Sequence, residues 1–120
     1  MAKILVIDDE PSVTASLEQA LRTAGHRVMQ AANGLEGTKQ QAAEPADLVI
    51  TDMFMPDQDG VQTLMQFRKL FPGVPIIAMS GNPKGDMLTV AQKLGAVAVL
   101  EKPFSRDELL SAVEKALKRG

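Results

Sequence analysis

Five short apolar segments, separated by longer stretches with helical periodicity, constrain the fold of this chain more than any other feature of its sequence. The segments are Ile4–Ile7, Arg27–Gln30, Leu48–Thr51, Pro75–Met79 and Ala96–Leu100. The first, third and fourth are nearly continuous aliphatic runs, which is typical of strands buried on both faces of a parallel sheet. The second is more mixed, which indicates an edge strand.

The stretches between these segments place apolar residues at the spacing of a helix. The predicted helices run from Pro11 to just before Gly25, from Gly34 to Ala43, from Val61 to Arg68, from Met87 to Leu94 and onward from Ser105. The second prediction is the weakest, because Gly37 lies inside it and glycine costs about 1 kcal/mol relative to alanine within a helix. Ser105 and Glu108 form a capping-box pattern at the start of the last helix.

Strand–helix alternation with short connections predicts a parallel sheet covered by helices on both faces, because right-handed crossovers place them there. We therefore predict an α/β fold of the (βα)₅ kind: a flavodoxin-like, doubly wound parallel sheet of five strands in the order 2-1-3-4-5. The length of 120 residues suits one domain spanning residues 1–120.

Composition excludes several function classes. Cysteine is absent, so disulfide and thiolate chemistry are ruled out. The formal net charge is −2 and no basic stripe is present, which argues against direct nucleic acid binding. The apolar runs fall far short of the roughly 20 residues that a membrane span needs, and the first is too short for a signal peptide. These features predict a cytoplasmic protein without membrane insertion.

Polar residues follow or end four of the predicted strands. Asp8 and Asp9 follow the first, Asp52 ends the third, Ser80 ends the fourth, and Lys102 comes just after the fifth. The carboxyl ends of parallel strands lie along one edge of the sheet, so these side chains are expected to converge. Three neighbouring carboxylates repel one another, and a divalent cation relieves that repulsion. Mg²⁺ suits such an oxygen-rich site best.

Each of these residues also has a simpler interpretation. Asp8 and Asp9 can cap the following helix, Ser80 can form a turn before Gly81, and Lys102 can be an ordinary surface lysine. His26 is interpreted as a solvated or locally packed residue, and without cysteine a zinc site is unlikely to form. Convergence on one edge of the sheet favours the functional interpretation of Asp8, Asp9, Ser80 and Lys102.

The predicted site suits phosphoryl transfer. Asp52 is a candidate carboxylate nucleophile, since aspartate forms acyl phosphates in several enzyme classes. Phosphoryl transfer depends mainly on positioning and charge neutralisation. Lys102 and a bound Mg²⁺ would supply that neutralisation to the phosphoryl oxygens.

Four segments of the chain resemble the receiver domain of two-component response regulators, the family that includes single-domain chemotaxis regulators. They are Ile4–Glu10, Asp52–Pro56 with Asp59 and Gly60 beyond, Ala78–Gly81, and Lys102–Phe104. They occur in the family's order, and the resemblance covers essentially the whole chain. Each segment alone is a weak signal, whereas four in register with five strand–helix units are specific.

The resemblance implies a function and partners. A histidine kinase or phosphotransfer protein would donate a phosphoryl group to Asp52 in an Mg²⁺-dependent reaction, and the modified domain would switch its binding to an unknown downstream protein. The protein would not be an enzyme in the usual sense, although it would catalyse its own phosphorylation and slow dephosphorylation. We expect a monomer or weak dimer with no output domain.

The resemblance also implies roles for individual residues. Asp9, Asp52 and the backbone carbonyl of Phe54 would ligate Mg²⁺, and Asp8 would hold a metal-coordinated water. Ser80 would donate a hydrogen bond to the phosphoryl group. Lys102 would pair with that group, and the peptide bond between Lys102 and Pro103 is often cis in this family.

Two positions depart from the family pattern or vary within it. Val99 occupies the place, three residues before the lysine, where the family commonly has an aromatic ring that swings inward on activation. Valine has no such ring, so the signal must leave the site by other movements. Phe54 and Asn82 occupy variable positions that tune how fast the phosphoryl group is lost, and their combined effect stays open.

Three alternatives remain open. A flavodoxin-like module binding a flavin or nucleotide would want a glycine-rich loop after the first strand, but the sequence there is acidic. An aspartyl phosphatase would need a general acid near the nucleophile, where Met53 and Phe54 stand instead. A degenerate receiver would act as an interaction scaffold without phosphorylation, and Val99 keeps that alternative open.

Overall fold

Five parallel strands and five helices alternate along the chain. The computed structural model describes residues 2–53, 60–81 and 86–119. The strands are β1 (Lys3–Ile7), β2 (Arg27–Ala31), β3 (Leu48–Asp52), β4 (Ile76–Ser80) and β5 (Ala98–Glu101). The helices are α1 (Pro11–Thr23), α2 (Gly34–Ala43), α3 (Gly60–Leu70), α4 (Asp86–Lys93) and α5 (Arg106–Arg119).

The strands form one sheet in the order β2-β1-β3-β4-β5, with every neighbouring pair parallel. At the carboxyl end of the sheet Ile7 pairs with Thr51, and Thr51 pairs with Ala78. The predicted (βα)₅ fold and strand order are thereby confirmed. The predicted edge strand is also confirmed, because β2 lies at one margin of the sheet with Arg27 and Gln30 exposed.

Alternating side chains along the strands build a separate core on each face of the sheet. One core contains Leu5 and Ile7 from β1 together with Leu64 and Phe67 from α3, and the other combines Ile4 and Val6 of β1 with residues of α1 and α5. The α1 and α5 members are Leu17, Leu21, Leu109, Val113 and Ala116. Helices therefore cover both faces, as a sheet with continuous apolar strands requires.

The strand limits differ slightly from the sequence-based ones. β5 begins at Ala98 rather than Ala96, although Val97 N–H already donates to the carbonyl of Ile76 at 2.9 Å. β4 begins after Pro75, which has no N–H to donate to the ladder. Asp52 and Ser80 are themselves the last residues of β3 and β4.

The weakly predicted second helix is present, and Gly37 has a packing reason to be in it. A Cβ at residue 37 would stand 2.5 Å from Cδ1 of Ile7, so glycine lets α2 pack this closely on β1 without a shift of the buried Ile7 side chain. Asn33 caps the helix by accepting the Glu36 N–H at 2.8 Å. Tertiary contact here outweighs the helix propensity that glycine lowers.

Helix ends follow the local signals in the sequence. Gly25 and Gly95, with φ of 97° and 105°, follow α1 and α4 in the left-handed conformation that glycine tolerates best. The capping box of α5 is reciprocal, since Ser105 N–H donates to Glu108 Oε1 at 2.9 Å and Glu108 N–H donates to Ser105 Oγ at 3.0 Å. Within the described ranges, no helix combines the length and apolar character needed to span a membrane.

Candidate functional site

The carboxyl edge of the sheet brings together residues from four strand ends. Asp8 follows β1, Asp52 ends β3, Ser80 ends β4 and Lys102 follows β5. The Asp8, Asp52 and Ser80 residues are buried, with at most 4% of their surface exposed. Burial of two carboxylates this completely is uncommon unless they are paired or bind a cation.

Lys102 connects two of the acids. Its Nζ donates a hydrogen bond to Asp8 Oδ2 at 3.0 Å and lies 3.5 Å from Asp52 Oδ2. Burial by itself lowers the pKa of the Lys102 ammonium, but the hydrogen bond that it donates to Asp8 and the charges of Asp52 and Asp8 outweigh that effect and raise the pKa above its usual value. Lys102 is therefore a cation held at the edge across the whole neutral pH range.

Backbone contacts hold Asp8 in place. Its N–H donates to the Ala31 carbonyl at 3.1 Å, which continues the pairing of β1 with β2 by one residue. Its Oδ1 accepts the Glu10 N–H at 3.0 Å, while Oδ2 accepts from Lys102. Both carboxylate oxygens are thus oriented at the point where the chain turns from β1 into α1.

Asp9 and Glu10 extend the acidic edge towards solvent. One carboxylate oxygen from each of Asp8, Asp9 and Glu10 lies within 4.8 Å of the others, and the latter two residues are exposed. The sequence analysis did not include Glu10 among the candidate ligands, although its position directly after two acids was the available signal. Asp52 adds a fourth carboxylate to this edge, and Lys102 contacts two of the four, Asp8 and Asp52.

The residues present fit a hard divalent cation. Asp8 has a fully buried side chain, and Lys102 balances only part of the negative charge around it. Carboxylate oxygens with an open, partly exposed side match the way Mg²⁺ binds, with one or two carboxylates and several waters. The Phe54 carbonyl, which the resemblance implies as a ligand, lies outside the described residues, as does Asn82.

Asp52 and Ser80 stand at neighbouring strand ends. Asp52 pairs with Met79 in the ladder, and Met53 N–H donates to the Met79 carbonyl at 2.8 Å, so β3 stays attached to β4 beyond Asp52. The Ser80 carbonyl accepts the Lys102 N–H at 2.8 Å. This bond ties the backbone of Lys102 to the end of β4.

The structure also shows the surroundings of three further features that the sequence analysis named. The peptide bond between Lys102 and Pro103 is cis, as the resemblance implied. Val99 is half-buried against the core that contains Ala78 and Ala91. His26 is far from the acidic edge in the fold: it precedes β2, and its Nδ1 accepts the Ala2 N–H at 3.2 Å, so it is locally packed as expected.

A doubly wound parallel sheet, with buried acids and a lysine at its carboxyl edge, defines a flavodoxin-like α/β domain. The family model for the response regulator receiver domain matches residues 4–114. The chain belongs to the receiver domain family of two-component response regulators.

Similar proteins agree with this family. Sporulation initiation phosphotransferase F of Bacillus subtilis is 34% identical over 115 residues, covering 96% of this chain and 93% of that protein. The DNA-binding transcriptional regulator NtrC of Azospirillum brasilense is 38% identical over 116 residues, covering 97% of this chain. The chain spans only 24% of that regulator's length, so the regulator's remaining activities are not carried over.

Solved structures show the same fold. A response regulator receiver domain protein from Clostridium thermocellum superposes with a TM-score of 0.92 at 34% identity, covering 99% of this chain and 96% of that one. A CheY-like receiver domain protein from Methanospirillum hungatei JF-1 has the same TM-score at 28% identity, with 99% and 95% covered. The family and the fold therefore rest on both sequence and structure.

Proposed function

We propose that this chain is a phosphoacceptor that takes a phosphoryl group on Asp52 from a histidine kinase or phosphotransfer protein. The single observation that carries the proposal is the placement of Lys102 Nζ between Asp8 and Asp52, at 3.0 and 3.5 Å. A cation held against a buried carboxylate is suited to receive an anionic group on that carboxylate. The Bacillus subtilis relative, sporulation initiation phosphotransferase F, bears the name of a phosphotransferase, which supports the same reaction class.

In the proposed reaction, an Oδ of Asp52 attacks the phosphorus atom. The new bond is an acyl phosphate P–O bond, and the bond from phosphorus to the donor's leaving atom breaks with its electron pair going to the donor. Lys102 pairs with a phosphoryl oxygen, and this contact replaces its contact with Asp52 once the carboxylate is phosphorylated. Ser80, buried at the end of β4, supplies a hydroxyl for a second phosphoryl oxygen.

Asp8, Asp9, Asp52 and the carbonyl of Phe54 are the proposed holders of Mg²⁺, and Glu10 lies beside them. When bound, Mg²⁺ would neutralise charge on the phosphoryl oxygens. The orientation of Asp8 by the Glu10 N–H leaves its carboxylate available to the edge without a change of backbone. The chain's own contribution is thus a buried carboxylate, that of Asp8, whose two oxygens are already oriented by Glu10 N–H and Lys102.

The proposal also covers the extent of the domain, its location in the cell, its oligomeric state and its autocatalysis. Residues 1–120 are proposed to act as one receiver unit, in the cytoplasm, as a monomer or weak dimer that switches binding to a downstream protein. Autocatalysed phosphorylation from small phosphodonors, followed by slow hydrolysis, belongs to the same hypothesis. The absence of direct nucleic acid binding is proposed from the net charge of −2 and the lack of a basic stripe in the sequence.

Intact mass measurement after incubation with acetyl phosphate and Mg²⁺ tests the proposal. We expect a gain of one phosphoryl group that requires Mg²⁺ and is abolished in Asp52→Asn. The matched control is Asp107→Asn, which removes an exposed carboxylate from the first turn of α5 and should leave the adduct unchanged. No adduct from any small donor or histidine kinase would refute phosphorylation and favour the scaffold alternative.

A further inference from the structure

Gly60, the first residue of α3, lies directly against the backbone of the residue that follows Asp52. A Cβ on Gly60 would stand 2.5 Å from both the carbonyl carbon and the carbonyl oxygen of Met53, and closer still to its Cα. Real Cβ atoms essentially never approach other atoms within 3.0 Å. Because the atoms met are backbone rather than the tip of a flexible side chain, a rotamer change cannot relieve the overlap.

Met53 is restrained from other directions as well. Its N–H donates to the Met79 carbonyl at 2.8 Å, which holds it against β4. Its side chain is 1% exposed and belongs to the same core as Leu64 and Phe67 of α3. The missing side chain of Gly60 therefore sets how closely α3 approaches this end of β3.

The strand end should yield to an added methyl group more readily than the helix. Leu64 and Phe67 are 0% and 1% exposed, so displacing α3 would disturb a close-packed core. Asp52, in contrast, lies beyond the last pairing of β3 with β1, which joins Ile7 to Thr51, and is held in the ladder from the β4 side. A displacement of the Met53 backbone should therefore also displace the adjoining Asp52 peptide.

Small movements matter at this position because the Asp52 carboxylate lies 3.5 Å from Lys102 Nζ. We propose that Gly60 is a positioning residue for phosphoryl transfer: its contact with the Met53 backbone holds the Asp52 carboxylate in register with Lys102 and the acidic edge. The inference rests on the proposed phosphoacceptor function of Asp52. A displacement of about 1 Å at a reacting group can cost on the order of 100-fold in rate.

Gly60→Ala tests the inference with acetyl phosphate as the donor and Mg²⁺ in excess. We expect the maximal rate of phosphorylation per folded molecule to fall at least tenfold, while the concentration of donor that gives half the maximal rate changes little. Amide hydrogen exchange supplies a second readout. The Met53 amide, which donates to Met79, should exchange faster in the variant by a larger factor than core amides of β1 such as that of Leu5.

Two control variants separate positioning from general destabilisation. Gly73→Ala adds the same methyl group at a glycine where a Cβ would meet nothing within 4 Å, and should leave the rate unchanged. Val113→Ala creates a cavity in the core on the opposite face of the sheet, so it lowers stability without touching β3's end. Under conditions where both it and Gly60→Ala are folded, Val113→Ala should keep the parental rate per folded molecule.

The outcomes distinguish this inference from the proposed function. If the parent protein takes no phosphoryl group, the proposed function fails and the variant is not needed to show it. If the parent is phosphorylated and a folded Gly60→Ala matches its rate, the positioning role is wrong while the function stands. A variant that stays unfolded even in a stabilising osmolyte such as trimethylamine N-oxide also overturns it, because the contact would then serve the fold as a whole.

Discussion

Lys102 Nζ donates a 3.0 Å hydrogen bond to Oδ2 of Asp8, a carboxylate whose side chain is completely buried and which lies 94 residues away in the chain. The same ammonium is 3.5 Å from Asp52 Oδ2. This pairing gives the acidic edge one cation of its own before any metal or phosphoryl group arrives. It also makes Lys102 the residue whose removal changes the charge of the edge most directly.

Lys102→Ala should separate metal binding from signalling. Without the ammonium the edge is more negative, so calorimetry should show Mg²⁺ binding that is retained or tightened. In the parent we expect phosphorylation to shift amide NMR signals in β5 and α5. In the variant these shifts should be absent, since the phosphoryl group loses its contact on that side. The control is Lys118→Ala, which removes an exposed lysine paired with Glu114 in α5. Parental shift changes in the Lys102 variant would refute the role assigned to it.

Acid should destabilise the domain partly through His26. The neutral ring accepts the Ala2 N–H, and the pKa of His26 is lowered, first by burial and then by the positive charge of the amino terminus. The folded state therefore binds protons less readily than the unfolded state. The contribution is fully present above about pH 6.5 and is lost as pH falls through the folded pKa. Urea unfolding at pH 7.5 and 5.5 should show a larger loss of stability in the parent than in His26→Gln, and equal losses would contradict this.

Thr63→Val should leave stability unchanged or raise it by up to about 2 kcal/mol, because it deletes a buried polar group that lacks a partner. Among the described residues, the Thr63 hydroxyl is the only buried side-chain oxygen or nitrogen without a hydrogen bond. Thr14→Val is the matched control. The Thr14 hydroxyl donates to the Pro11 carbonyl at 3.0 Å, so its loss should cost about 1 kcal/mol. Denaturant midpoints measure both, and a clear destabilisation by Thr63→Val would show that the hydroxyl has a role in the folded state.

The charge of Lys102 itself should not contribute to any pH dependence near neutrality. Its raised pKa means that the stability from its ion pairs is present below the unfolded pKa, about 10.4, and is lost only as pH rises through the folded value. This sign follows from the net effect of Asp8 and Asp52, which outweighs burial. The pH ranges in which His26 and Lys102 change the stability of the domain are therefore separated by several pH units.

The arrangement of strands and helices follows from local signals in the sequence. Continuous aliphatic runs such as Ile4–Ile7 indicate buried strands, and glycines at positions 25 and 95 end helices because they adopt positive φ at little cost. The polar residues at the strand ends were predicted to share one edge, since parallel strands end on the same side of a sheet. These inferences need only periodicity and the chirality of the crossovers.

Other features depend on which parts of the chain approach each other. The sequence alone marks Gly37 as a weak point in a helix, yet the fold makes it the place where α2 meets Ile7. In the sequence, Gly60 is recognisable only as part of a family motif. In the fold, it lies directly against the backbone of Met53. Whether glycine is needed at a position depends on how closely a distant segment approaches it. No local sequence pattern contains that information.

In the candidate site, too, some features follow from the sequence and others depend on the tertiary structure. The sequence by itself determined which residue types stand at the carboxyl edge of the sheet: Asp8, Asp9, Asp52, Ser80 and Lys102. Only the tertiary structure decided that Lys102 pairs first with Asp8 rather than with Asp52, and that Glu10 joins the acidic cluster. Strand position is set by hydrophobic burial over a few residues. Which acid Lys102 pairs with depends instead on the difference between two distances, 3.0 Å to Asp8 and 3.5 Å to Asp52, and only folding sets those distances.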